Sequence, residues 1–303
     1  SLQMSLLGMA YTHSDLGGFA GGETFDKEMY IRWLQFGAFS PIFRPHAHDN
    51  IAPEPVFHDK ETQHIIRDYI KLRYRLLPYN YSLAYENSKT GMPLMRPMFF
   101  ANEDTPSDLL EKDQYFWVQD FLVKPVTDAG VTSVAIKLPK GNWIDYWTDR
   151  VYKGGQTIDY PVDLYTLPLL VKAGAIIPTV PAVQTTRDYS SQALQLDYYF
   201  DESEARSSYH MYEDDGKAAD ALASKAFELM NFKAEVNKDK VPAVRFTLLK
   251  DPQGLGYEGM PETRDITLII HNWPHKQNRV DLIQGKSGAP KRWHDIAFDP
   301  DTK

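Results

Sequence analysis

The chain has 303 residues, which is enough for two or three domains rather than one. Its net charge of -8, without a basic tract, opposes nucleic-acid binding, and the absence of cysteine excludes disulfides and thiolate metal sites. The most apolar stretch, residues 164–183, is broken by Pro168, Lys172 and Pro178, so the sequence predicts no membrane span. The first residues lack a signal-peptide pattern, and the compartment stays open, since both the periplasm and secretion are compatible with the sequence.

Residues 1–91 predict an alternation of strands and helices. The predicted elements are a strand at 6–11, a helix at 26–39, a strand at 41–46 and a helical stripe at 61–86. Pro78 lies inside the last stripe and should kink or divide it. Strands that alternate with helices are typical of a parallel sheet with outer helices.

The rest of the chain predicts two antiparallel β domains, a proximal one at 92–180 and a distal one at 181–303. In the proximal domain, Val134, Ile136 and Leu138 alternate with more polar residues, the period of a half-buried strand. The strand candidates of the distal domain are residues 194–200, 208–212, 244–249 and 265–270. Asp215-Gly216 predicts a hairpin turn rather than a calcium site.

Polar groups follow both predicted strands of the first zone. Asp15 comes after the first strand, and Arg44, His46 and His48 come at or after the end of the second. The catalytic face of a (β/α) barrel is built at the C-terminal ends of its strands, so Asp15 and His46 should converge on one pocket. With the ring of Phe19 beside them, a carboxylate and an imidazole suit a sugar.

These residues carry a specific resemblance. Residues 8–19, which end in Asp-Leu-Gly-Gly-Phe, resemble the strand-seven motif of glycoside hydrolase family 31, with Leu16 in place of the usual isoleucine. Residues 43–46, Phe-Arg-Pro-His, resemble its strand-eight motif, in which Pro45 replaces the common asparagine. Further motifs match in order at residues 32–41, 54–55, 72–79, 93–99, 141–147, 168–178 and 212–216.

The resemblance implies the last two βα units of a (β/α)8 TIM barrel over residues 1–91, followed by two β-sandwich domains. It implies a retaining α-glycosidase that needs no cofactor or metal. The implied substrate is an α-linked glucoside or oligosaccharide.

The resemblance also divides the functional residues between this chain and a preceding segment. Both catalytic carboxylates of the family, the nucleophile and the acid/base, precede its strand-seven motif and are therefore expected upstream of Ser1. We expect no catalytic residue in this chain and no activity without the N-terminal part of the barrel. The residues expected to line the sugar subsite are Asp15, Phe19, Arg44 and His46.

Several alternatives stay open. Asp15 could cap a turn before two glycines, and His46, His48 and Asp49 look like metal ligands, although the family chemistry needs no metal. The leading activity is α-glucosidase. An α-xylosidase, α-galactosidase, transglycosylase or α-glucan lyase of the same family is also compatible, as is a non-catalytic carbohydrate-binding module.

Overall fold

The structure is a computed structural model that describes residues 1–20, 24–48, 51–100, 111–238 and 243–274, together with the backbone of two short strands near the C-terminus. Five α-helices lie in these regions. They are α1 (Leu2–Ser5), α2 (Lys27–Ala38), α3 (Lys60–Arg75), α4 (Leu77–Thr90) and α5 (Ala221–Ser224). Helices α2, α3 and α4 all lie in the first zone.

Helix α2 confirms the helix predicted at 26–39. Its N-terminus is capped by Asp26, whose carboxylate accepts a hydrogen bond of 2.9 Å from the backbone N–H of Met29. Its buried side includes Tyr30, Ile31 and Leu34, which are spaced as a helix facing a core requires.

The long stripe at 61–86 is divided, as Pro78 predicts. Helix α3 ends at Arg75 and α4 begins at Leu77, with Pro78 in its first turn, where a missing backbone N–H costs no helical hydrogen bond. Asp59 caps the start of α3, and Gly91 ends α4 in the left-handed conformation at φ 74°.

The two strands predicted in the first zone are wrong as regular strands. Residues 6–11 follow the short helix α1, and Leu7 is 74% exposed, so the apolar run is not buried within the described residues. Residues 41–46 contribute one residue pair, a parallel bridge between Pro45 and Leu16. A strand requires a hydrogen-bonded neighbour along its length, and the described residues supply one only at this pair.

The proximal domain is antiparallel, as predicted. Its strands are β1 (Met95–Pro97), β2 (Tyr115–Trp117), β3 (Phe121–Val123), β4 (Ser133–Leu138), β5 (Asn142–Asp145), β6 (Val151–Lys153), β7 (Gln156–Pro161) and β8 (Leu169–Lys172). Six of them form one sheet in the order β1-β2-β3-β8-β5-β6, and β4 pairs with β7. Ile136 and Leu138 of β4 are buried in a core shared with Trp143, which confirms the alternation read from the sequence.

The distal domain is a sandwich of two three-stranded sheets. Its strands are β9 (Ile176–Thr179), β10 (Ala193–Tyr199), β11 (Arg206–Glu213), β12 (Glu228–Asn237), β13 (Ala243–Lys250) and β14 (Asp265–His271), and β15 (Asp281–Leu282) pairs with β16 (Lys291–Arg292) beyond them. The sheet orders are β14-β10-β9 and β11-β12-β13. The four predicted distal strands are confirmed, but β10 and β14 are parallel rather than antiparallel. The domain boundary at 180 stays a prediction, since β9 lies before it and pairs with β10.

Two features of the distal domain differ from the sequence predictions. Strand β12 was missed, although Met230, Phe232 and Ala234 alternate within it and are buried. The Asp215-Gly216 hairpin is wrong, because β11 and β12 pair but the connection between them spans residues 214–227 and includes α5. The Asp215 carboxylate instead accepts the backbone N–H groups of residues 217 and 218, which closes a local turn.

One apolar core connects the barrel portion to the proximal sheet. It contains Leu34 and Phe39 of the first zone together with Trp117, Phe121 and Val171 of the proximal domain. The helices therefore pack on the sheet as well as on one another.

Candidate functional site

The two segments that carry the predicted site residues run side by side. Leu16 and Pro45 form a parallel bridge, the backbone N–H of His46 donates to the Leu16 oxygen at 3.3 Å, and the N–H of His48 donates to the Phe19 oxygen at 2.7 Å. These bonds align residues 16–19 with residues 45–48, although neither segment is a regular strand.

The four predicted side chains form two contacting pairs on these aligned segments. The rings of Phe19 and His46 stack, with centroids 5.4 Å apart and planes at 29°. The Arg44 guanidinium lies 3.8 Å from an Asp15 carboxylate oxygen. Phe19 is 45% exposed, and the side chains of Arg44 and Asp15 are 49% and 34% exposed, so the cluster is open to solvent.

The turn after Asp15 depends on two glycines. Gly17 and Gly18 have φ of 93° and 99°, a conformation that favours glycine, and the N–H of Gly18 donates to the backbone oxygen of Asp15 at 3.1 Å. The turn is thus closed by the backbone of Asp15. The Asp15 carboxylate lies beside the Arg44 cation, and its side chain is 34% exposed, so a ligand could reach it.

Helix α2 packs against the segment that carries Asp15. The indole N–H of Trp33 donates to the Ser14 hydroxyl at 2.8 Å, directly before Asp15. Gly37 allows Leu16 to pack against the helix, since a Cβ at that position would lie 2.4 Å from a Leu16 methyl carbon. Leu16 is fully buried, and it anchors the segment between the partly exposed Asp15 and the exposed Phe19.

Sequence analysis missed Arg73 of α3. Its guanidinium donates to backbone oxygens at the C-terminal end of α2 and just after it, before the second site segment begins. Desolvation lowers the pKa of Arg73 to about 10. Its position four residues after the buried Tyr69, on the same helix face, was the signal available in the sequence.

The first residue of the chain takes part in the short helix α1 and not in the candidate site. Ser1 occupies the N-cap position of α1, where its side chain makes no capping hydrogen bond, and its backbone oxygen accepts the N–H of Ser5 at 3.1 Å. The expectation that the nucleophile and the acid/base lie upstream of Ser1 concerns residues outside this chain, so it stays a prediction.

The metal alternative concerns residues 46–49, of which the structure describes only part. Among the described residues no group of three histidine or acidic side chains could hold a metal ion, and Asp49 lies outside those residues. A cavity of about 260 Å³ lies in the proximal domain and is lined by Arg96, Trp143 and Lys172 among others, but by none of the four candidate residues.

Over the parts of the chain that the structure covers, no helix has the length and apolarity to cross a membrane.

Comparison with known proteins agrees with this architecture. The family description "Glycosyl hydrolases family 31 TIM-barrel domain" matches residues 1–83, and "Glycosyl hydrolase family 31 C-terminal domain" matches residues 91–177. The fold is therefore the C-terminal part of a TIM-barrel glycosyl hydrolase with its C-terminal β domain. The chain belongs to glycosyl hydrolase family 31.

Individual relatives match a large share of this chain. Alpha-glucosidase 2 of Bacillus thermoamyloliquefaciens is 34% identical over 217 residues, which are 71% of this chain and 27% of that protein. The alpha-xylosidase of Saccharolobus solfataricus is 34% identical over 220 residues, 71% of this chain and 29% of the relative. The family 31 dextranase of Flavobacterium johnsoniae, solved in complex with glucose, superposes with a TM-score of 0.83 at 28% identity, over 92% of this chain and 34% of that one.

The chain thus spans about a quarter to a third of the length of these relatives. What the chain itself contains is the end of the barrel, with the aligned site segments, and the β domains that follow it.

Proposed function

We propose that the chain is part of a retaining α-glycosidase whose activity is the hydrolysis of terminal α-linked glucose. The observation that carries the proposal is the alignment of the Asp15 and His46 segments by the Leu16–Pro45 bridge. Their carboxylate and imidazole thus belong to neighbouring segments of one barrel, where this fold builds its sugar pocket. The α-glucosidase and dextranase relatives support the substrate class.

In this proposal the four residues hold the sugar rather than break the bond. The Asp15 carboxylate and the His46 imidazole hydrogen-bond sugar hydroxyls, and the exposed Phe19 ring packs against the apolar face of the pyranose. Arg44 orients the Asp15 carboxylate. Such hydrogen bonds lower the barrier when they strengthen as the sugar approaches its oxocarbenium-like transition state.

The bond-breaking step needs two further carboxylates, roughly 5 Å apart in a retaining enzyme. We propose that they come from the N-terminal part of the barrel, upstream of Ser1. The matched region is only about a quarter to a third of the length of the relatives. That N-terminal part is then the partner of this chain, and the chain alone does not turn over substrate.

A second candidate substrate is an α-xyloside. The observation that favours it is the S. solfataricus alpha-xylosidase, which is as similar to this chain as the Bacillus alpha-glucosidase, at 34% identity. Parallel assays with chromogenic α-glucoside and α-xyloside decide between the two sugars.

The substitution His46→Ala in the full-length enzyme tests the proposed role. We expect kcat/KM for an α-glucoside to fall roughly 100-fold, because a hydrogen bond made in the transition state is lost, while the melting temperature hardly changes. His64→Ala is the matched control, since His64 is 61% exposed on α3 beside Asp68, and it should leave both values unchanged. A large loss of stability with His46→Ala, or equal kinetics for both variants, would contradict the proposal.

A further inference from the structure

Four consecutive backbone oxygens, at the last residue of helix α2 and the three residues after it, all accept hydrogen bonds from side chains outside that helix. Arg73 of α3 binds three of them, those of Ala38, Ser40 and Pro41, at 3.0, 2.6 and 3.0 Å. The hydroxyl of Tyr115, on strand β2 of the proximal domain, donates to the oxygen of Phe39 at 2.9 Å. Two different parts of the molecule therefore hold residues 38–41.

The Arg73 guanidinium is unusual because it is removed from solvent without a carboxylate to balance its charge. No acidic side chain pairs with it among the described residues, and its guanidinium lies 5.7 Å from the centroid of the buried Trp117 ring. A buried cation is costly unless it is hydrogen-bonded, so the carbonyl oxygens and the negative end of α2 supply what stabilises it. This fixes both the guanidinium and the backbone that it binds.

The backbone held in this way leads straight into the candidate site. Arg44 and His46 follow Pro41 closely in the chain, at the third and fifth positions after it. Phe43 packs close to Gly37, where an added Cβ would meet its ring at 2.8 Å. The second segment thus begins from a fixed point, and small changes at residues 38–41 should shift His46 relative to the first segment.

We propose that Arg73 and Tyr115 are positioning residues of the sugar subsite, and that the proximal β domain takes part in building that subsite through Tyr115. They touch no substrate; they set where the His46 segment starts. The inference rests on the proposed function, because only that function makes the site a sugar subsite. The position of the His46 segment, however, is a property of the folded chain itself.

A double-mutant cycle in the full-length enzyme separates positioning from a general contribution to folding. Tyr115→Phe removes one hydroxyl and should lower kcat/KM about tenfold in the wild-type background, with little effect once His46 is alanine. Tyr69→Phe is the matched control, because Tyr69 is equally buried and its hydroxyl bonds residues 165 and 167 instead. Its effect should be the same in both backgrounds. An equal loss from Tyr115→Phe in both backgrounds would overturn the inference.

Arg73→Lys offers a second variant that retains the charge. Lysine presents a point cation that cannot reproduce the three bonds of the planar guanidinium, so we expect a loss of kcat/KM at least as large as that of Tyr115→Phe, again dependent on His46. Wild-type kinetics for Arg73→Lys would also count against positioning.

Hydrogen exchange tests the same inference without activity. The backbone amides of His46 and His48 are bonded to the oxygens of Leu16 and Phe19, and Tyr115→Phe should speed their exchange about tenfold while Tyr69→Phe leaves it unchanged. Unchanged exchange in Tyr115→Phe would refute positioning. If the wild-type protein turns over no α-glycoside, the proposed function fails on its own, and faster exchange would still support the placement.

Discussion

At the scale of single residues, the site depends on close approaches that only glycine permits. Gly17 lies against the ring of Tyr30, which is buried and whose hydroxyl donates to the backbone oxygen of Pro53 at 2.7 Å. The ring cannot move aside without losing that bond. The turn that presents Asp15 therefore depends on the absence of a side chain at position 17.

Gly17→Ala tests this dependence. The new Cβ would lie 2.7 Å from two ring carbons of Tyr30, in addition to the strain of φ at 93°, and we expect a loss of about 2–4 kcal/mol in the free energy of unfolding. Gly91→Ala is the control, since Gly91 also has a positive φ but an added Cβ there meets nothing within 4 Å. Equal losses for the two variants would show that the contact with Tyr30 is unimportant.

Residue types drew attention to the candidate site but not to the residues that support it. Asp15, Phe19, Arg44 and His46 stand out because polar and aromatic groups follow predicted strand ends. Arg73 and Tyr115 act through backbone oxygens of distant segments, and backbone contacts leave little trace in the pattern of side chains. They could be recognised only once the helices were packed on the proximal sheet.

At the scale of elements, a histidine bridges the two β domains. His271, at the end of β14, lies with Nδ1 3.0 Å from an Asp149 oxygen of the proximal domain and with Nε2 3.1 Å from Asp197 of β10. Its ring stacks on Tyr199 at 4.3 Å. Burial opposes the charged form, but hydrogen bonds to the two carboxylates prevail and raise the pKa of His271 to about 9.

This bridge predicts a pH-dependent stability. The folded pKa of His271 lies above the ordinary value of 6.5, so its contribution is complete below pH 6.5, declines as the pH rises, and is lost above pH 9. We expect His271→Gln to cost about 3 kcal/mol at pH 6 and much less at pH 10, measured by denaturant unfolding of the full-length protein.

The exposed His64 supplies the control for this titration. His64 pairs with Asp68 across one turn of α3, and both side chains are more than half exposed, so His64→Gln should leave the pH profile unchanged. If His271→Gln has the same free energy of unfolding as the wild type from pH 6 to pH 10, the bridge contributes nothing to stability.

Helices were easier to predict than the segments of the barrel. The boundaries of α2 and the division at Pro78 follow from local rules of capping and backbone geometry. The apolar run at 6–11 was predicted as a strand from its local sequence alone. A strand, however, forms only against hydrogen-bonded neighbours. The parallel pairing of β10 with β14 likewise joins segments far apart in sequence, which periodicity cannot reveal.

At the scale of the whole molecule, the chain joins the C-terminal part of a barrel to β domains. One core runs from α2 through α3 into the proximal sheet, so the candidate site rests on a continuous packed body. The chain matches about a third of the dextranase structure, and exposed apolar residues such as Leu7 and Met9 lie on the barrel portion. These features are compatible with the proposal that the rest of the barrel completes a sugar pocket begun by this chain.

A crystal structure of the full-length enzyme with bound glucose tests the central claim most directly. We predict that sugar hydroxyls lie within about 3.2 Å of both the Asp15 carboxylate and the His46 imidazole, with the Phe19 ring against the sugar. Glucose bound between the catalytic carboxylates but out of hydrogen-bonding reach of Asp15 and His46 would contradict the assignment of these residues to the sugar subsite.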